Sequence, residues 1–286
     1  MIKLCCFVKR KPGMDRDAFH SHWLEAHGPL IRNTPELAAP ILRYEQNHRL
    51  DADYERDLDG FDGVTMQWFD SFTDFAGFVQ SDAYRDVLWH DEERFLDRSG
   101  LFMIFADPAN RVIVDGAARA AAGVKLLCML TRQASVSTEA FHAHWRSPHG
   151  ELFRDTPELA RHIAAYEQHP RTPGDYARDE GRGPDGLAEQ WYADLDAFGD
   201  FVTEPAQAEL IRPDEDRFID RGAIRFVLTG PADVIIGDHD RDDLERRSSL
   251  ESRSPVESRS AVERRSSIER RSAIERRSAH DPESAT

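Results

Sequence analysis

The sequence predicts an α+β fold in which two ferredoxin-like βαββαβ units of one chain form a barrel. Three observations lead to this prediction: a tandem repeat, the order of elements in each copy, and strands that are apolar on both faces. The chain has 286 residues, of which 40% are hydrophobic, so two cores of ordinary size can form. One such unit leaves a face of its sheet bare, and two copies can bury those faces together.

The repeat becomes visible when the chain is shifted against itself. Residues 3–46 overlay residues 125–168 without a gap, at a shift of 122 positions. One inserted residue then changes the shift to 123, and "DEERFLDR" (91–98) overlays "DEDRFIDR" (214–221). The two copies are therefore one module used twice.

Each copy has the pattern strand, helix, strand, strand, helix, strand. The first strand, "KLCCFVKR", is apolar at both alternating positions, which is typical of a strand buried on both sides. Asp15 and Ser137 are predicted N-caps of the first helix in each copy, and Gly28 and Gly150 its C-terminal stops. The remaining elements of the first copy are predicted at "ILRYEQNHRL" (strand), "FDGVTMQWFD" (strand), "FTDFAGFVQS" with "DVLWHDEERFL" (helix, capped by Ser71) and "GLFMIFADPANRVIV" (closing strand).

We predict one unit at residues 1–114 and the other at 124–237, joined by a linker at 115–123 that makes their pairing intramolecular. The tail, 238–286, repeats a six-residue pattern six times, each with one aliphatic residue followed by Glu. A period of six builds no apolar stripe on a helix, and so sparse a pattern builds no core, so disorder is the first expectation. A left-handed β-helix and an Arg/Glu helix remain alternatives.

Charge and cysteine content exclude several classes of protein. The formal net charge is −16, which repels phosphate backbones and argues against a nucleic-acid partner. No apolar run is nearly as long as the roughly 18 residues that a membrane-spanning helix needs, and no signal-peptide pattern is present. Cys5 and Cys6 are adjacent and Cys128 is the third cysteine, a poor disulfide framework. We therefore expect a cytoplasmic protein with no membrane partner.

Two histidine-rich segments, "AFHSHWLEAHGPL" (18–30) and "AFHAHWRSPHGEL" (140–152), raise the question of a metal site. On a helix His20 and His22 point about 200° apart, and no pair has the i,i+4 spacing that lets two imidazoles bind one ion. We expect no metal, and we expect both side chains to face solvent.

His27 lies at the edge of the buried stripe that the helix pattern predicts. That stripe consists of Phe19, Trp23, Ala26 and Leu30. An imidazole that faces a partly enclosed cavity is a candidate acid or base. The alternative is a structural histidine that satisfies the carbonyls of its own helix end.

Side chains from the strands could complete a pocket between sheet and helices. Tyr44 and Gln46 alternate onto one face, and on the next strand Trp68 shares a face with Met66 while Gln67 takes the other. An apolar pocket with a few polar groups suits a small aromatic or cyclic ligand, although aromatic core packing is the alternative. The candidate binding residues are Trp23, Trp145, Tyr44, Tyr166, Gln46, Gln168, Trp68 and Trp191.

The motif F-H-x-H-W-x-x-x-H-G at 19–28 and 141–150, followed by the βαββαβ pattern, resembles the EthD family of dimeric α+β barrel proteins. The resemblance covers both copies and not the tail. It implies that the chain is a fused dimer, that is, a pseudo-dimer formed within one chain. Whether such chains oligomerise further is left open. It also implies oxidoreductase-like or tailoring chemistry on small molecules in catabolic and polyketide pathways, and it places the family's histidine at His27 and His149.

Two functions remain open at this point. The first is an enzyme with His27 and His149 as catalytic acid/base groups and Tyr44 and Tyr166 orienting the substrate. With no glycine-rich dinucleotide loop and no P-loop, its simplest form needs no cofactor. The second is a non-catalytic protein that binds a small ligand or assists such a pathway. Pro148, just before His149, is predicted to end or kink the second helix early and so to place His149 differently from His27.

Overall fold

The computed structural model describes residues 1–56, 60–178 and 183–237, and these residues form two five-stranded antiparallel sheets. The predicted disorder of the tail, 238–286, lies outside the described residues. The strands are β1 (Ile2–Val8), β2 (Arg43–His48), β3 (Gly63–Phe69), β4 (Phe102–Ala106), β5 (Arg111–Asp115), β6 (Val124–Leu130), β7 (Ala165–Pro170), β8 (Gly186–Tyr192), β9 (Arg225–Thr229) and β10 (Asp233–Ile236).

Within the described residues, six longer helices cover the outer faces of the sheets, and several of them contain a π-helical turn. They are α1 (Arg16–Ser21, a π-turn at His22–His27, Gly28–Asn33), α2 (Phe72–Gln80), α3 (a π-turn at Tyr84–Leu88, Trp89–Phe95), α4 (Thr138–His144, a π-turn at Trp145–His149, Gly150–Asp155), α5 (Leu195–Thr203) and α6 (a π-turn at Gln207–Ile211, Arg212–Glu215). Shorter helices are Pro35–Ala38, Asp51–Tyr54, Pro157–Ala160 and Pro173–Arg178, with 3₁₀ turns at Arg98–Gly100, Ala117–Ala121 and Arg221–Ala223. The predicted side-chain caps Asp15, Ser71 and Ser137 are confirmed. No helix among the described residues has the length and apolarity that a bilayer span requires.

The strand order confirms the predicted dimeric α+β barrel and adds an exchange of strands. The order β4-β1-β3-β2 in the first sheet and β9-β6-β8-β7 in the second is ferredoxin-like. However, β5 pairs with β7 of the other sheet, and β10 pairs with β2. The prediction of one closing strand at "GLFMIFADPANRVIV" is therefore wrong. The chain turns at residues 107–110, where Pro108 offers no N–H for a strand ladder.

The core between the two sheets is apolar. It contains Cys5, Phe7, Val64, Met66, Ile104, Ala106, Leu127, Met129, Leu187 and Val227, all buried. Isolated bridges between Ala106 and Arg171 and between Arg49 and Thr229 join the sheet edges. Both faces of β1 are buried, one against the facing sheet and the other against the helices.

Gly28 and Gly150 do not end their helices, contrary to the prediction. Gly28 has helical backbone angles (φ −57°, ψ −54°), and α1 continues to Asn33. A Cβ at Gly28 would lie 2.9 Å from Ile235 Cδ1 of β10, and one at Gly150 would lie 3.0 Å from Ile113 Cδ1 of β5. These glycines therefore give the exchanged strands room to pack against the helices.

The π-turns correct two further expectations. An extra residue per turn keeps positions four apart on one face, so the buried stripe of α1 is Phe19, Trp23, His27 and Ile31, while Ala26 is exposed and Leu30 only half-buried. His27 thus lies in the stripe and not at a helix end. Pro148 lies inside the π-turn of α4, and the helix runs on to Asp155, because a widened turn already lacks the regular i→i−4 bond that Pro148 cannot make.

Candidate functional site

The centre of the candidate site is a carboxylate held between two imidazoles. His27 Nδ1 lies 2.8 Å from Asp91 Oδ2, and His22 Nε2 lies 2.9 Å from Asp91 Oδ1. Asp91 comes from α3, so the contact links α1 to α3, two of the helices that cover this sheet. An ionised carboxylate only accepts hydrogen bonds, so His27 Nδ1 carries a proton and Nε2 is the free-base nitrogen.

The electrostatics favour a neutral imidazole beside an ionised carboxylate. Burial lowers the pKa of His27, and the hydrogen bond to Asp91 opposes this without cancelling it. Burial raises the pKa of Asp91, but the hydrogen bonds from His27 and His22 outweigh it and hold the pKa below its usual range. His27 is therefore placed to accept a proton at Nε2 and to share the resulting charge with Asp91.

His27 lines a cavity of about 170 Å³ between the first sheet and its helices. This volume is small for a ligand site, where 300–1,000 Å³ is typical of drug-sized ligands. The walls are mostly apolar, and His27, Tyr44, Thr65 and Gln67 are among the polar side chains that line it. Among the described residues, Thr65 Oγ1 is buried without a hydrogen-bond partner. The apolar lining includes Leu4, Cys6, Val8, Trp23, Ile31, Phe75, Phe78, Leu88 and Met103.

Tyr44 lines this cavity, and its hydroxyl oxygen is held by two donors. Its hydroxyl oxygen accepts from Gln46 Nε2 at 2.8 Å and from Trp23 Nε1 at 3.2 Å. Burial raises the pKa of Tyr44 to about 12, so the hydroxyl keeps its proton. Because both donors occupy the oxygen's lone pairs, the Tyr44 hydroxyl can only donate its proton, and the Thr65 side chain lies close enough to this hydroxyl to lower its pKa.

A second pair of histidines fixes Gln46. Gln46 Oε1 lies 3.1 Å from His48 Nε2, and His48 Nδ1 lies 2.8 Å from His20 Nδ1. His20 also lies 2.9 Å from the Tyr54 hydroxyl. The expectation that His20 and His22 face solvent is therefore wrong, since His20 belongs to this network and His22 contacts Asp91.

The second repeat reproduces the central arrangement. His149 Nδ1 lies 2.9 Å from Asp214 Oδ2, and His144 Nε2 lies 2.8 Å from Asp214 Oδ1. Tyr166 accepts from Trp145 and Gln168, as Tyr44 does from Trp23 and Gln46. The expectation that Pro148 displaces His149 is therefore wrong.

The space beside His149, however, is filled. Phe153 stands where the first repeat has Ile31, and it is buried. Its ring lies 5.0 Å from the His149 ring, 5.1 Å from Tyr166 and 6.0 Å from Phe201. The equivalents of these three neighbours, His27, Tyr44 and Phe78, line the first cavity, so the Phe153 ring occupies the corresponding volume.

A further difference concerns His48, whose equivalent in the second repeat is Pro170. Among the described residues, His142 Nδ1 and Gln168 Oε1 are buried without partners. In the first repeat the equivalent atoms, on His20 and Gln46, contact the His48 ring. The second repeat therefore lacks the imidazole that completes its network.

The structure brings together some of the sequence-predicted site residues and separates others. Trp23, His27 and Tyr44 line the cavity and Gln46 supports it. Trp68 and Trp191 instead line a separate cavity between the sheets, where Lys3 lies over Trp68 and Lys125 over Trp191. Asp91 and Asp214 were missed, although both stand at the first position of the repeated "DEERFLDR" and "DEDRFIDR".

Comparison with known proteins supports the fold. The EthD domain model matches residues 11–99 and 133–222. An anthrone oxidase-like protein superposes with a TM-score of 0.55 at 7% identity, over 83% of this chain and 95% of its own. A variant of chlorite dismutase from Candidatus Nitrospira defluvii superposes at 0.43 with 14% identity, over 86% and 94%. A heme-binding protein from Thermus thermophilus superposes at 0.41 with 15% identity, over 80% and 90%. At 7% identity the likeness to the anthrone oxidase-like protein, which alone of these three superposes with a TM-score above 0.5, concerns the fold alone. No curated protein sequence matches the chain.

Proposed function

The chain belongs to the EthD family, and we propose that its first repeat is a cofactor-free enzyme site acting on a small aromatic or cyclic molecule. The step we assign to it is removal of a proton from an acidic O–H or C–H group of that molecule. This step would begin an oxidation or a tailoring reaction in catabolism or secondary metabolism. The observation that carries the proposal is the neutral His27, backed by Asp91, in the wall of an apolar cavity.

In this proposal three polar groups act on the substrate or support the one that does. His27 Nε2 accepts the substrate proton, and Asp91, 2.8 Å from Nδ1, stabilises the imidazolium that forms. Tyr44 donates its hydroxyl proton to the oxygen on which negative charge develops. The apolar walls exclude water and strengthen both interactions.

The alternative, a non-catalytic ligand-binding protein, has one observation in its favour. The second repeat keeps His144, Asp214 and His149 together although Phe153 fills the adjoining space. The arrangement therefore also serves to join α4 to α6, and the same structural role is open to it in the first repeat.

Hydrogen exchange at carbon separates the two functions without knowledge of the full reaction. We would incubate the purified chain in D₂O with a panel of small phenols, naphthols and cyclic 1,3-diones and follow deuterium incorporation by NMR. We expect the chain to accelerate exchange for at least one compound and His27→Gln to abolish the acceleration, while the matched variant His149→Gln retains it. A compound that binds without accelerated exchange or turnover would leave the binding function standing and refute the enzymatic one.

A further inference from the structure

A second cavity, of about 400 Å³, lies between the two sheets at one end of the barrel. It is lined by side chains of both repeats and by the 3₁₀ turn Ala117–Ala121. His27 and Tyr44 do not line it. Its walls contain two tryptophans, Trp68 and Trp191, and a set of charged side chains that the proposed reaction does not use.

Two buried lysines related by the repeat dominate this cavity. Lys3 is 1% exposed and Lys125 is 4% exposed. Lys3 Nζ donates to Asn110 Oδ1 at 2.9 Å and to His169 Nδ1 at 2.6 Å. Lys125 Nζ donates to Asn47 Oδ1 at 2.5 Å and to Glu189 Oε1 at 3.0 Å. Among the described residues each ammonium thus makes two of the three hydrogen bonds it can donate.

The carboxylates of the cavity are already engaged. Glu189 accepts from Lys125 and, at 2.9 Å, from His169 Nε2. Glu167 accepts from Asn110 Nδ2 at 2.7 Å and from Arg119. The third carboxylate, Glu45, accepts from Arg43, with 2.7 Å between Oε1 and Nε.

The cluster of Glu167, His169 and Glu189 has its ligand-type atoms within 4.8 Å of one another, yet a metal ion fits it poorly. Lys3 donates to His169 and Lys125 donates to Glu189, so a cation would displace or face two buried ammonium groups. Burial lowers the pKa of His169, and Lys3 lowers it further. With the ring neutral, Nε2 donates to Glu189, and Nδ1, which lies 2.6 Å from Lys3 Nζ and 2.7 Å from Asn110 Oδ1, accepts from Lys3.

The charges that line the cavity favour an anion. Four cationic groups (Lys3, Arg43, Arg119 and Lys125) face three carboxylates (Glu45, Glu167 and Glu189), in a chain whose overall net charge is −16. The surplus is one positive charge, and within the part of the chain that the structure describes each ammonium has one N–H left to donate. Aromatic surface adjoins these donors, since Lys3 Nζ lies 5.2 Å from the Trp68 ring centroid and the Arg119 guanidinium lies 4.1 Å from that of Trp191.

We propose that the end of the barrel is a second ligand site, which takes a small aromatic monocarboxylate. The carboxylate accepts the remaining hydrogen bonds of Lys3 and Lys125, and the ring packs against Trp68 and Trp191. The site is independent of the proposed reaction, because it shares no lining residue with the His27 cavity.

Benzoate is a suitable probe, titrated into the full-length chain with calorimetry and tryptophan fluorescence as readouts. We expect a dissociation constant of about 1 mM or below, and binding of the neutral isostere benzamide at least tenfold weaker. Lys3→Gln, which keeps an amide donor and removes the charge, should weaken benzoate binding at least tenfold. Ala120→Trp should block the mouth without removing any charge, whereas Ala118→Trp, on the same turn but outside the lining, should bind benzoate like the parent.

One further variant separates the two cavities. Ile31→Phe fills the His27 cavity with the side chain that the second repeat has at this position, and it should leave benzoate binding unchanged. The proposal is overturned if Ile31→Phe abolishes binding while Ala120→Trp does not, if benzamide binds as well as benzoate, or if benzoate does not bind at all.

Discussion

The two repeats hold the same His–Asp–His arrangement, but they differ in what surrounds it. In the first repeat His27 borders a cavity, whereas in the second the ring of Phe153 lies against His149. The residues that join helix to helix are the same in both copies. Those that shape the adjoining space differ, with Ile31 opposite Phe153 and Thr65 opposite Ala188. The His–Asp–His arrangement is therefore not sufficient for a ligand site, because a site also needs room for a ligand.

The largest expected effect comes from the histidine that borders the cavity. His27→Gln keeps much of the shape and hydrogen bonding of the side chain but loses the titratable proton. Turnover, or the deuterium exchange described above, should fall by roughly 10²–10⁴-fold, the usual share of general acid–base catalysis. His149→Gln should change it by less than about threefold, because the second repeat contributes packing and not proton transfer. Equal losses from both variants, at unchanged melting temperatures, would show that both repeats act and that the comparison is wrong.

Exchanging the residues at positions 31 and 153 between the repeats tests whether the free space beside the histidine is what distinguishes them. Ile31→Phe should reduce ligand binding and turnover by about tenfold or more, because the added ring fills volume that a ligand needs. The reciprocal change, Phe153→Ile, removes buried atoms and should lower the free energy of unfolding by about 1–3 kcal/mol. Calorimetric titration with a compound found in the exchange screen measures the first effect, and urea unfolding measures the second. If Phe153→Ile gained activity that depends on His149, the second site would be latent and not lost.

Acid should destabilise the chain partly through a histidine that the second repeat lacks. Burial and the nearby His20 lower the pKa of His48 to about 3. A histidine with a lowered pKa binds fewer protons in the folded chain than in the unfolded chain. The contribution of His48 to the free energy of unfolding is therefore complete above a pH of about 6.5. It is lost as the pH falls toward the folded-state pKa, by up to about 1.4 kcal/mol per pH unit.

His48→Gln removes this contribution and provides the test. The variant should be less stable than the parent at pH 8, and the difference in unfolding free energy should shrink as the pH is lowered to 5. Urea denaturation at the two pH values measures it. A difference that stays constant with pH would mean that His48 is not buried as a neutral group.

The smallest expected effect is a repair of the second network. Pro170→His would place an imidazole beside His142 Nδ1 and Gln168 Oε1, which are buried without partners among the described residues. Satisfying them should raise the free energy of unfolding by about 1 kcal/mol. Thermal unfolding of the variant measures the gain, and Gln168→Met in the same background should remove part of it. A loss of stability would indicate that the ring of Pro170 supports the strand more than the missing bonds weaken it.

Much of the fold could be predicted from the sequence because both repeats show the same pattern of strands and helices. The overlay of 3–46 on 125–168 and the apolar pattern of β1 together favour two facing sheets. The exchange of β5 and β10 could not be predicted, since pairing between distant strands leaves no local signal. The π-turns could not be predicted either. A regular helical period places Ala26 on the buried face, whereas the widened backbone of the π-turn places His27 there, on the same face as Trp23.

The candidate site could be predicted only in part. His27 was found because its segment is distinctive, but Asp91 lies 64 residues away in the chain, and nothing in its own segment separates it from its acidic neighbours. The overlay did contain one usable signal, the identity of Asp91 and Asp214. It also contained the difference between Ile31 and Phe153. The effect of that difference on the cavity can be recognised only when the positions of the neighbouring rings are known. Trp68 was predicted to line the cavity between sheet and helices, but it lines the cavity between the two sheets. Alternation along a strand shows which residues share a face, and it does not show which layer that face contacts.

A structure with a bound compound from the exchange screen would decide whether the cavity of the first repeat is the working site. We expect density for the compound between the first sheet and its helices, with a polar atom within hydrogen-bond distance of His27 Nε2 and another near the Tyr44 hydroxyl. We expect the Phe153 ring to stay packed against His149. Density beside His149, or a compound that contacts neither His27 Nε2 nor Tyr44, would show that the first cavity is not the working site.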